Sequence, residues 1–146
     1  MSYTYEINTE LGLIFFIVAG EIPIKQLADL EQVTFNDPAR RPNMKIIADM
    51  RLASLDVDMD SIKHFLSRNR DLNRIGWELE MTAVVTHNRM LVTLAEAYEL
   101  MGIDLPLKLR IFGTLEDAVD WLQLSEAKDH VLAIRQHLLE RIIPKP

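Results

Sequence analysis

Tyr3 to Ile7 alternates apolar and polar positions with a period of two and is rich in β-forming residues, which predicts a strand. Asn8, Thr9 and Glu10 follow as a turn. Leu11 to Ala19 is then almost uniformly apolar. The spacing predicts an antiparallel hairpin, and the second strand, lacking a polar face, belongs inside a sheet covered on both sides.

Beyond Gly20 the period lengthens. Pro23 suits the first turn of a helix, and Ile24, Leu27, Leu30 and Val33 form one stripe at helical spacing. Residues 36–43, NDPARRPN, end that helix in a loop. Met44 to Met50 predicts the third strand. Asp58 or Asp60 can cap a helix that buries Ile62, Phe65, Leu66 and Leu72. Met81 to Thr86 predicts the fourth strand. Asn88 caps a helix carrying Leu91, Leu94, Ala95 and Tyr98 to about Met101, closed by Gly102. Leu107 to Phe112 predicts the fifth strand. Thr114 opens a helix with Asp117 at its third position, as in a capping box, and Leu115, Ala118, Val119 and Leu122 on its buried face. Ser125 is the expected cap of a last helix running to about Ile143, where Pro144 stops it.

The order β-β-α-β-α-β-α-β-α-α implies a single α/β domain. Its sheet of about five strands is mixed but mostly parallel, starts with the antiparallel hairpin, and carries helices packed on it. Residues 1–123 make the domain, and 124–146 form a helical extension. That extension either packs on its own sheet through Val131, Ile134, Leu138 and Ile142 or supplies the contact of a homodimer.

Composition narrows the chemistry. At 146 residues and 49% hydrophobic, the chain can build a core without staples. It has no cysteine, which excludes disulfides, thiolate metal sites and thiol nucleophiles and suits the cytoplasm. The formal net charge of −6 disfavours nucleic acid as a partner. Only the middle third is basic, with Arg40, Arg41, Arg51, Lys63, Arg68, Arg70 and Arg74. The longest apolar run, Leu11 to Gly20, is far short of the ~20 residues of a membrane span, and acidic Glu6 and Glu10 precede it, so no export signal is read.

Ligands of open α/β sheets gather at the carboxyl ends of the strands. Asp49, Met50 and Arg51 are expected to end strand three, Thr86, His87 and Asn88 strand four, and Phe112, Gly113 and Thr114 strand five, with Arg89 close by. Arg51 and Arg89 would serve an anion. The alternative for Asp49 is structural: pairing with Arg51 or Arg89, or accepting hydrogen bonds from the loop beyond it. A receiver-type phosphoacceptor is disfavoured, since no acidic pair follows the first strand. There is no glycine-rich phosphate loop, no Gly-x-Ser-x-Gly elbow and no complete calcium loop among Asp56, Asp58 and Asp60. No metal or cofactor is expected.

The opening hairpin, the IIADMR strand ending in Asp-x-Arg, and LRIFGTLEDAVDWL resemble the STAS-like, or SpoIIAA-like, proteins over residues 3–123. Those proteins resemble anti-sigma-factor antagonists and are compared with lipid-binding Sec14-type domains. The resemblance implies a non-enzymatic module that binds a protein partner, with a carrier of a small anionic or lipid ligand as the alternative. Antagonists present a phosphorylatable serine in an Asp-Ser-Ser-Gly-like stretch after the third strand. This chain has RLASLDVDMDSI there, so neither Ser54 nor Ser61 takes over that role. The expected binding rim comprises Asp49, Arg51, Ser54, Arg70, Arg74, His87, Arg89 and Thr114.

Overall fold

The computed structural model describes residues 1–23, 26, 33, 34, 36–55, 60, 81–93, 96 and 108–142. Five strands form one sheet in sequential order: β1 (Ser2–Asn8), β2 (Leu13–Glu21), β3 (Lys45–Ser54), β4 (Met81–Val85) and β5 (Lys108–Phe112). β1 pairs antiparallel with β2, and every later pair is parallel. A short turn suffices for the first pair, whereas parallel neighbours need a crossover. Two helices follow β5: α1 (Leu115–Trp121) and, after a 3-10 turn at Ser125–Ala127, α2 (Lys128–Ile142).

Strand alternation sorts the core into two layers. Leu13, Phe15, Ile17, Ile47, Ala83 and Val85 face α1 and α2, meeting Leu115, Ala118, Val119 and Leu122 of the first and Val131, Ile134 and Leu138 of the second. Ile14 and Phe16 point to the other side, beside Met44, Tyr5, Ile7 and Ile46. β2 is thus buried on both faces, as its unbroken apolar run requires. Each large side chain fully removed from water there contributes about 1.5–3 kcal/mol.

Local chemistry sets the ends of α1. Thr114 Oγ1 accepts from the Asp117 amide at 3.2 Å, and Glu116 and Asp117 lie at the positive end of the helix. At the other end Lys45 Nζ donates to the Leu122 carbonyl, which places a cation at the helix C-terminus. Gln123 takes the left-handed conformation at φ 60° and turns the chain toward α2. Ser125 departs from its expected role. Its hydroxyl donates to Asp120 Oδ1 at 2.7 Å, because the tight α1–α2 connection brings that carboxylate within reach. A 3-10 turn, not a serine cap, leads into α2.

α2 crosses back over β1 and β2. Its apolar stripe is spent on its own sheet: Val131, Ile134 and Leu138 are buried, while Leu132 stays 37% exposed. The expected helices within 24–32, 61–80 and 94–101 lie largely or wholly outside the described residues. Among the described residues, no helix is long and apolar enough to cross a membrane.

Candidate functional site

β3 does not end at Asp49, Met50 and Arg51 as the sequence suggested. Asp49 is the last residue paired with β4, opposite Val85, but β3 continues along β2 to Ser54. A register shift between Ile17 and Ala19 lets Leu52, Ala53 and Ser54 pair with Ala19, Gly20 and Glu21. The apolar stretch of β2 simply outlasts β4 and carries β3 with it. Asp49 therefore lies within the sheet, at the point where one neighbour departs.

Ile47, Asp49 and Arg51 share the face under α1 and α2. Asp49 is 2% exposed. A lone carboxylate so placed would cost several kcal/mol. It is instead surrounded by donors. Arg51 contributes its backbone N–H to Oδ1 at 3.2 Å, Nε to Oδ1 at 2.9 Å and Nη2 to Oδ2 at 2.7 Å. Arg135, from α2, contributes Nε to Oδ2 at 2.8 Å. Burial pushes the Asp49 carboxyl up, but the hydrogen bonds from Arg51 and Arg135 and the charge of Arg51 outweigh it and hold its pKa below the ordinary value. The hydrogen bond to Asp49 raises the Arg51 pKa. Burial opposes this, and the charges of Asp49 and Glu116 reinforce it. Asp49 thus takes hydrogen bonds from both guanidiniums, and Glu116 adds a second negative charge that acts on Arg51.

Asp49 pairs with Arg51, as one alternative had it, and with Arg135 rather than Arg89. The sequence did hold a signal for Arg135. It lies four positions after Val131 and three before Leu138, a cation set within an apolar stripe.

The ends of β4 and β5 are arranged differently. Thr86 is buried, its N–H donating to the Phe112 carbonyl at 3.0 Å and its Oγ1 accepting from the Asn88 amide at 3.1 Å. Asn88 Oδ1 accepts from the Met90 and Leu91 amides, capping the helical turn at 89–93 as expected. His87 and Arg89 are exposed, and so is Thr114. The His87 ring lies beside Gly113, where an added Cβ would be 3.8 Å from Cε1. His87, Gly113 and Thr114 therefore form one continuous edge.

Ser54 is not part of this group. It lies five residues beyond Asp49, about 16 Å along an extended strand, and its carbonyl accepts from the Ile22 amide at 2.8 Å. Arg70 and Arg74, with Lys63 and Ser61, lie outside the described residues. Among the described residues no group of three His, Asp or Glu side chains could hold a metal ion.

No protein-family model matches the chain, and no curated protein sequence does. Among solved structures it is similar to an uncharacterised protein of the DUF3478 family with a SpoIIAA-like fold from Shewanella loihica PV-4. That similarity has 13% identity, covers 83% of this chain and 92% of the other, and has a TM-score of 0.51. An anti-sigma factor antagonist from Mycobacterium paratuberculosis also aligns, at 19% identity over 84% of this chain and 95% of the other, with a TM-score of 0.44. The chain has a SpoIIAA-like, that is STAS-like, α/β fold: one mixed five-stranded sheet with helices packed on it and a C-terminal helix.

Proposed function

We propose that this chain is a non-enzymatic, cytoplasmic interaction module that docks an acidic or phosphorylated protein partner on the rim formed by His87, Arg89 and Thr114. Arg70 and Arg74 are proposed as further contacts to the same partner. What carries the reading is the division of labour at the strand ends. The buried polar side chains there, Asp49 and Thr86, are engaged by Arg51, Arg135 and the Asn88 amide, which leaves them structural duties. The exposed side chains, His87 and Arg89, form no part of that framework and are available to a partner.

The carrier alternative requires an apolar cavity between sheet and helices. On the α1/α2 face, Phe15, Ile47, Val85, Val119 and Leu138 fill that space, each 0% exposed. Among the described residues, no observation favours that alternative.

Photocrosslinking amino acids placed at positions 87 and 113, and at exposed Leu132 as a control, test the proposal in host cells. The expected result is one defined adduct from the rim positions, absent from the control and lost in Arg89→Glu. Equal labelling from all three positions would sink the rim as a docking surface.

A further inference from the structure

The two edges of the sheet differ. β5 is five residues long and includes Lys108 and Arg110, a charged edge of the kind that resists strand addition. β1 has seven residues in regular register with β2, with no bulge, no proline and no lysine. An edge strand turns half of its N–H and C=O groups away from its neighbour. Among the described residues, no backbone hydrogen bond reaches the outer side of β1. An open depression of about 500 Å³ lies beside it, with Tyr3, Thr4, Tyr5, Asp37 and Arg141 among its walls.

We propose that this edge pairs with β1 of a second copy of the chain, antiparallel and centred on Tyr5, so that two sheets become one continuous sheet. Full overlap of the strand sets the register. Ser2 meets Asn8 of the second copy, Tyr3 meets Ile7, and Thr4 meets Glu6. Tyr3, 42% exposed in the single chain, gains an aliphatic cross-strand partner on the Phe16 side of the sheet. Glu6, the one charge in β1, avoids its own copy and lies against Thr4. Thr4 shares its depression with Arg141, so each Glu6 reaches an Arg141 across the dyad. Asp37 is already engaged in its own copy, by the Tyr5 hydroxyl at 2.8 Å and the Ala39 amide at 2.9 Å.

The helices fit the same arrangement. α2 lies over β1 and β2, and a dyad perpendicular to the sheet keeps both α2 helices on one face. With strands about 4.8 Å apart, two helices centred over adjoining strand pairs lie about 10 Å from each other, which is helix-packing distance. Helical spacing puts His130, Ala133, His137 and Arg141 on the flank toward this edge, consistent with His130 Nε2 at 3.5 Å from Asn8 Nδ2.

Sedimentation velocity tests the proposal on the full chain at up to about 100 μM, a range that detects dissociation constants of that order. Wild type is expected at twice its 16.8 kDa mass. Glu6→Arg and Arg141→Glu alone each weaken association by about tenfold or more, and the double variant restores it. Circular dichroism checks that the variants fold. Amide exchange within Ser2–Asn8 slows with concentration in the wild type. A monomer throughout the range, or a dimer indifferent to both reversals, would overturn the proposal.

Discussion

Arg135 Nε donates to Asp49 Oδ2 at 2.8 Å across 86 positions of sequence. This bond ties the last described helix to the middle of the sheet, at the one acidic side chain buried among the described residues. Removing the negative charge leaves two partly buried guanidiniums facing a neutral group. Asp49→Asn is expected to destabilise the fold by about 3 kcal/mol, the usual cost of breaking a buried pair from one side. Arg135→Ala, which leaves Arg51 on the carboxylate, should cost about 1–2 kcal/mol. Urea unfolding of both variants and their double mutant measures this. The double must cost less than the sum of the singles, and simple additivity would show that the bond contributes nothing.

The same carboxylate makes stability depend on acid. Its folded pKa lies below the ordinary 3.8 of the unfolded chain. The folded state therefore binds fewer protons, and the stabilisation is complete above the unfolded pKa and lost as pH falls through the folded one. Asp37, lowered by hydrogen bonds from the Ala39 amide and the Tyr5 hydroxyl, acts in the same direction at the surface. The urea midpoint should fall as pH drops below about 4. Asp49→Asn should flatten that decline. An unchanged acid limb in the variant would place the titrating group elsewhere.

The sequence made the sheet legible more readily than the site. The alternation of Tyr3–Ile7 and the unbroken run after it defined the hairpin because strand periodicity is a local property. The Thr114 and Asn88 caps were equally local, each a side chain reaching two or three residues onward. Arg51 was within reach for the same reason, since residues two apart share one strand face. Arg135 carried only the mark of a cation within an apolar stripe; its meeting with Asp49 depends on how far α2 travels back over the sheet. The length of β3 escaped for a related reason: β2, rather than its own residues, carries it on to Ser54.

Leu138 and Leu132 distinguish the two faces of α2. Leu138 is 0% exposed and Leu132 37%. Leu138→Ala should cost about 3 kcal/mol through a cavity against the sheet. Leu132→Ala should change stability by no more than about 0.5 kcal/mol. Thermal melts compare them directly, and equal losses would mean that α2 does not pack on its own sheet as described.

Thr114→Ala removes the oxygen that caps α1 and leaves the Asp117 amide without that acceptor. The expected loss is about 1 kcal/mol, with Thr114→Ser close to wild type. Faster amide exchange at Asp117 would accompany it. Because Thr114 also lies on the proposed rim, the serine variant separates a docking defect from a folding one.

The return of α2 over β1 and β2 also bears on how the chain is made. The first hairpin is synthesised well before Val131, Ile134 and Leu138, which cover its apolar face. Throughout that interval Leu13, Phe15 and Ile17 lack the side chains that finally shield them. This layer is therefore completed late, and the interval before α2 arrives is when the nascent chain is most open to misassociation.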